Sequence, residues 1–114
     1  MKDELYHFDL YQDAAESTAV YPDQGSNIYY PTLGLAGETG EVCEKIKKIM
    51  RDNGGKLTQE HKEELVKELG DVLWYVATLA TELNVSLASI AESNLEKLQD
   101  RKDRGVIKGS GDNR

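Results

Sequence analysis

The stretch "EELVKELGDVLWYVATLATELN", residues 63–84, settles the fold class. Leu65, Val66, Leu69, Val72, Leu73, Val76, Leu79, Ala80 and Leu83 recur at three- and four-residue intervals, the period of an amphipathic helix. Thr58 offers its hydroxyl as an N-cap, Glu60, Glu63 and Glu64 suit the positive end of the helix dipole, and Asn84 can close the far end in the left-handed conformation. This segment is expected to be the longest helix of the chain.

The same reading extends in both directions. Leu5, Phe8, Leu10, Ala14 and Ala15 predict a first helix within residues 3–20. Two prolines and Gly25 break it in "YPDQGSNIYYP", residues 21–31, a loop rich in tyrosine. Leu35, Val42, Ile46 and Ile49 predict a second helix from Leu33 to Arg51, ending at "NGG", residues 53–55. Ser86 can cap a fourth helix that carries Leu87, Ile90, Ala91, Leu95 and Leu98. There is no useful β-alternation, repeat or internal linker, so the expectation is an all-α, four-helix bundle-like single domain over residues 1–104. The glycine-rich tail, residues 105–114, has the composition of a disordered end. It could instead fold over a bound ligand through Arg104, Lys108 and Arg114.

Composition narrows the function classes. A formal charge of −7 disfavours binding to a nucleic acid polymer or an anionic membrane surface. No apolar run reaches the length of a membrane span and no signal-peptide core opens the chain, so the cytoplasm is the expected compartment. The lone Cys43 cannot form an internal disulfide and reads as a small helix-face residue.

The chemistry lies beside the apolar stripes. On the second helix, with Glu38 at the origin of a helical wheel, Glu41, Lys45 and Lys48 fall at about 300°, 340° and 280°, bordering the apolar arc at about 20–80°. On the third, Glu68, Asp71 and Tyr75 repeat the offsets of Glu38, Glu41 and Lys45. Packed together, the two helices would bring Glu38, Glu41, Glu68 and Asp71 into one place. Four converging carboxylates repel and lose hydration unless a cation or proton compensates, and hard oxygen donors without histidine or cysteine favour Mg²⁺, with Mn²⁺ next, over zinc. Helical geometry alone leaves a second reading open, in which these are solvated acids at the boundary of an apolar face. Lys45 and Lys48 could pair with those acids or reach the phosphates of a metal-bound nucleotide. Gly34, Gly37 and Gly40 are poor helix formers whose presence suggests close approach of a neighbouring backbone or ligand.

In order along the chain, "YQDAA" (11–15), "YYPTLGL" (29–35), "LGLAGETGEVCEKIKK" (33–48), "ELGDVLWY" (68–75) and "NLEKLQDRKDRGVIKGSGDNR" (94–114) resemble the MazG-like nucleotide pyrophosphohydrolases of the all-α NTP pyrophosphatase superfamily. That family's two acidic pairs match Glu38-Thr-Gly-Glu41 and Glu68-Leu-Gly-Asp71. Where many members carry a further glutamate before the first pair, this chain has Gly37, and Glu44 is a doubtful substitute.

The resemblance implies that Glu38, Glu41, Glu68 and Asp71 hold Mg²⁺, and that a (deoxy)nucleoside triphosphate is hydrolysed to the monophosphate and pyrophosphate by a metal-activated water. Of the carboxylates, Glu41 is preferred as proton acceptor, with Glu38 beside it in the catalytic set. By position in the family pattern Asn94 and Lys97 face the nucleotide, and Arg101 follows one turn later as a further phosphate contact. Tyr75 could stack on base or ribose. Trp74, off the apolar stripe at about 240°, is expected at a subunit contact, and similar proteins form dimers or tetramers with sites between subunits.

Two other classes compete. A carboxylate-bridged di-iron bundle needs two Glu-x-x-His elements, whereas the chain offers Glu4-Leu-Tyr-His7 alone, since Thr58 stands three residues before His61. A non-catalytic helical interaction module would use the acids merely for solubility and would release no pyrophosphate.

Overall fold

A computed structural model describes the backbone of residues 2–114 and the side chains from Tyr6 onward. Four helices follow one another: α1 (Lys2–Ser17), α2 (Tyr29–Asn53), α3 (Gln59–Glu82) and α4 (Leu87–Asp103), with no strand among the described residues. α2 and α3 pack as a long antiparallel hairpin, α1 packs on α3, and α4 packs on α1. No described helix is long and apolar enough to cross a membrane.

The caps of α3 and α4 agree with the expectation. Thr58 Oγ1 accepts from the amide of His61 at 3.1 Å while His61 Nδ1 accepts from the amide of Thr58 at 3.1 Å, a reciprocal capping box. Ser86 Oγ accepts from the amide of Ser89 at 3.0 Å to open α4. Asn84 takes the left-handed conformation with φ 56°, turning the chain between α3 and α4. The same His61 cap also gives that histidine a structural task, as opposed to iron ligation, and Glu4 of the other di-iron element has its side chain outside the described residues.

Several boundaries differ. α2 starts at Tyr29, not Leu33, because Pro31 sits in its first turn, where a missing N–H costs nothing, and is fully buried there. Asn27 Oδ1 accepts from the amides of Tyr29 and Tyr30, both at 3.1 Å, and starts the helix. The early start makes α2, at 25 residues, longer than α3, at 24. α1 ends at Ser17, not residue 20.

The core is small: Ala15, Ala77 and Leu87 are buried, with Tyr11, Trp74 and Val76 packed against them. Trp74 packs partly against this core within the chain, and its indole N–H donates to Thr18 Oγ1 at 2.9 Å. Beside the core, buried polar groups tie the elements together. Gln12 Nε2 donates to Thr81 Oγ1 at 3.1 Å and to the Val85 carbonyl at 3.0 Å, while its Oε1 accepts from the amide of Leu87 at 2.7 Å. Asp9 Oδ1 accepts from the amide of Ala88 at 3.0 Å. α1 thus satisfies the free amides at the start of α4.

The chain is open for its size. Its radius of gyration is 16.9 Å, against about 13 Å for a compact domain of this length. Its accessible surface is 8160 Å², against about 6,200 Å² for a monomer of its mass. Leu33, Val66, Leu69 and Leu73 lie exposed along the α2–α3 hairpin.

Candidate metal centre

Midway along the hairpin, Glu38 from α2 meets Glu68 and Asp71 from α3, each offering a carboxylate oxygen within 4.8 Å of the others. The i, i+3 spacing on α3 places its two acids on one edge, and the packing of α2 against α3 brings Glu38 opposite them. Glu38 and Glu68 are half-buried and Asp71 is exposed. Burial first, then a hydrogen bond shared with Glu68 and the charges of Asp71, Glu68 and Glu41, hold the Glu38 carboxyl above the usual range. This is the electrostatic strain that a divalent cation relieves, and an all-oxygen donor set of three carboxylates fits Mg²⁺ or Mn²⁺.

Glu41, the fourth acid of the expected cage, lies beside these three and not among them. Offset by about 60° around the helix from Glu38, it is exposed and lines an adjoining cavity of about 230 Å³ between the C-terminal half of α2 and the start of α3. Lys45, Lys48, Asn53, His61 and Glu64 face the same cavity. Lys45 reaches across the hairpin to α3, with Nζ 3.9 Å from Glu64 and 4.0 Å from Glu68, rather than pairing with Glu41 along its own helix. Lys48 lies 3.9 Å from Glu44, whose other oxygen is 2.9 Å from Lys47, so Glu44 is paired away from the acid cluster.

On the other side of the cluster stand tyrosines. Tyr75 lies one turn beyond Asp71, and burial, Tyr30, and the charges of Glu38 and Asp71 raise its hydroxyl pKa. Tyr30 is 6.4 Å from Tyr75, centroid to centroid, and stacks on Tyr21 at 4.7 Å. Burial, followed by the charge of Asp71, raises the Tyr11 hydroxyl as well. Tyr11 and Tyr30 escape a reading of single helices because each comes from a different element, and only packing brings them to the α3 edge. Gly34 is what admits Tyr75: a Cβ there would collide with the Tyr75 ring. Gly37 and Gly40 have open space beside them, so within the chain they admit no close neighbour.

Asn94 and Lys97 line a separate groove of about 480 Å³ along α4, to which neither α2 nor α3 contributes. Arg101 is not free to join them. It is 5% exposed and donates to the Asp112 carbonyl at 2.7 Å, which makes it an anchor of the tail. Within the tail, Arg114 donates to the carbonyls of Val106, Ile107 and Gly111.

Residues 30–106 match the MazG nucleotide pyrophosphohydrolase domain. The chain belongs to the MazG family. It is 55% identical over 113 residues to the Gene 37 protein of Mycobacterium phage L5, covering 95% of this chain and 99% of that protein. It is 33% identical over 89 residues to YvdC of Bacillus subtilis (strain 168), covering 71% of this chain and 84% of that one. No solved structure matches. The MazG match begins at Tyr30 and includes the acid cluster, both cavity lysines and the α4 groove, and the family activity it brings is nucleotide pyrophosphohydrolysis.

Proposed function

We propose that this MazG protein hydrolyses (deoxy)nucleoside triphosphates to the monophosphate and pyrophosphate in a Mg²⁺-dependent reaction, with Mn²⁺ as a substitute. The observation that carries the reading is the meeting of Glu38, Glu68 and Asp71 within 4.8 Å, with a lysine-bearing cavity on one side and tyrosines on the other. Bound there, the cation supplies neutralisation of the triphosphate and a lowered pKa for water.

The chain's own groups divide the remaining work. Glu38, Glu68 and Asp71 hold the ion. Glu41, beside the cluster but outside it, accepts the proton of the attacking water, a task that suits a carboxylate with no cation of its own. Lys45 and Lys48 face the phosphates from the cavity, and Tyr75 faces the sugar and base. Asn94 and Lys97 complete the site from a second copy of the chain, which the disjoint lining of the α4 groove and the open shape of the chain both support.

Incubation with a panel of NTPs and dNTPs, with Mg²⁺ or with EDTA, tests the reading by pyrophosphate release. Cation-dependent release from at least one nucleotide is expected. Absence of release across the panel would leave the helical interaction module as the better account.

A further inference from the structure

The end of the chain poses a physical problem. Residues 105–114 contain three glycines and bury little, yet they pack against the C-terminal half of α4. Three contacts explain it. Val106 donates its amide to the Arg101 carbonyl at 2.8 Å, Arg104 donates to the terminal Arg114 carbonyl at 2.6 Å, and the Arg114 guanidinium bridges the carbonyls of Val106 (3.1 Å), Ile107 (3.0 Å) and Gly111 (2.6 Å). Gly109, at φ 131°, lies where a Cβ would come within 3.2 Å of Arg114 Cδ, so the knot is built around its glycine.

At the centre of the knot is a charge arrangement. Arg101, 5% exposed, donates to the Asp112 carbonyl at 2.7 Å and also faces the Asp112 carboxylate at 3.5 Å. The same carboxylate oxygen lies 3.4 Å from Lys97 Nζ. An exposed Lys–Asp pair contributes little stability, so the contact does not account for the fold of the tail. Its effect falls on Lys97, which lines the α4 groove with Asn94. An unconstrained lysine carries rotamer entropy that binding must otherwise remove. Two cations share one carboxylate here, so the group keeps a net positive charge toward an anion.

We propose that Asp112 is a positioning residue for nucleotide binding, fixing the Lys97 ammonium at the groove while the buried Arg101 holds Asp112 in place. The inference rests on the reading of Lys97 as a nucleotide contact.

The test uses full-length protein, a non-hydrolysable α,β-methylene nucleotide with Mg²⁺ for calorimetry, and the turnover substrate for kinetics. Asp112→Ala is expected to weaken binding and raise KM about two- to fourfold with little change in kcat, as lost preorganisation by an exposed pair does. Asp112→Glu should recover most of the loss. Asp112→Asn keeps the backbone bond to Arg101 and separates the charge from the fold of the tail; it should behave like Asp112→Ala. In a Lys97→Ala background, Asp112→Ala should add nothing, because its effect runs through Lys97. Unchanged binding, additive losses, or tighter binding by Asp112→Ala would overturn the proposal, the last because it would make Asp112 a competitor of phosphate. If the wild-type protein releases pyrophosphate and Asp112→Ala is unaltered, only this inference fails. If the wild type neither binds nor cleaves nucleotide, the enzymatic reading fails first.

Discussion

Two carboxylate environments along α3, one at its middle and one at its end, meet contrasting fates. At its middle, Glu68 and Asp71 face Glu38 with Lys45 as the nearby cation, and the Glu38 carboxyl is pushed above its ordinary range. At its end, Glu82 accepts hydrogen bonds from the Tyr21 hydroxyl and from the amides of Gly25 (2.8 Å) and Asn27 (3.1 Å). Those donors, the Tyr21 hydroxyl foremost, hold Glu82 below the usual carboxylate range. A carboxylate whose donors come from the chain builds structure, here the loop between α1 and α2. A cluster whose like charges crowd one another stores the compensation for something that binds.

That contrast is broken most sharply by neutralising one member of the crowded cluster. On the proposed reading, Glu38→Gln or Asp71→Asn should lower Mg²⁺-dependent pyrophosphate release by at least about 100-fold, since each removes a proposed metal ligand. The fold should survive, because the change also removes repulsion. Turnover that persists in either variant would move the metal elsewhere.

Next in size is Gly34→Ala, whose new methyl group would collide with the Tyr75 ring. It should destabilise the chain by about 1–3 kcal/mol through displacement of that ring, measured by urea unfolding. A neutral result would mean that Tyr75 swings freely, and the tyrosine side of the site would not be preorganised.

Glu82→Ala should cost about 1–2 kcal/mol, solvent access reducing the full worth of its three bonds, with little loss of turnover per folded molecule. The sign of its pH dependence follows from the direction of the shift. Its folded pKa is depressed, so its contribution is present above the unfolded carboxylate pKa and is lost as pH falls through the folded value. Glu82→Gln should therefore flatten the acid limb of stability against pH. An unchanged acid limb would show that another carboxylate governs it.

The smallest effect probes the surface around the cluster. Gly37→Ala and Gly40→Ala meet open space in the chain, so each should gain up to about 1 kcal/mol of helix propensity. A loss in place of the gain, accompanied by a lighter species in size-exclusion light scattering, would locate the second copy on that face of α2.

The legible part of this protein was what local chemistry governs. The period of residues 63–84, the Thr58 and Ser86 caps and the left-handed Asn84 specified helices and turns, because those depend on neighbours within one turn. The i, i+3 pairs likewise placed Glu68 and Asp71 on one edge of α3 and Glu38 on a matching edge of α2. Pro31 was misread as a breaker because its position relative to a helix start is decided by Asn27 two residues before that start.

What only the tertiary structure decided was which charges find partners. Glu38, Glu41, Glu82 and Arg101 are all charged residues on helix surfaces in the sequence, and nothing local separates them. Packing of α2 on α3 joins Glu38 to Glu68 and Asp71 but leaves Glu41 facing the next cavity, the 21–28 loop folds onto Glu82, and the tail closes over Arg101. Helix periodicity fixes the direction in which a side chain leaves its own axis, whereas the partner that meets it belongs to another element, whose distance and rotation only the folded chain sets.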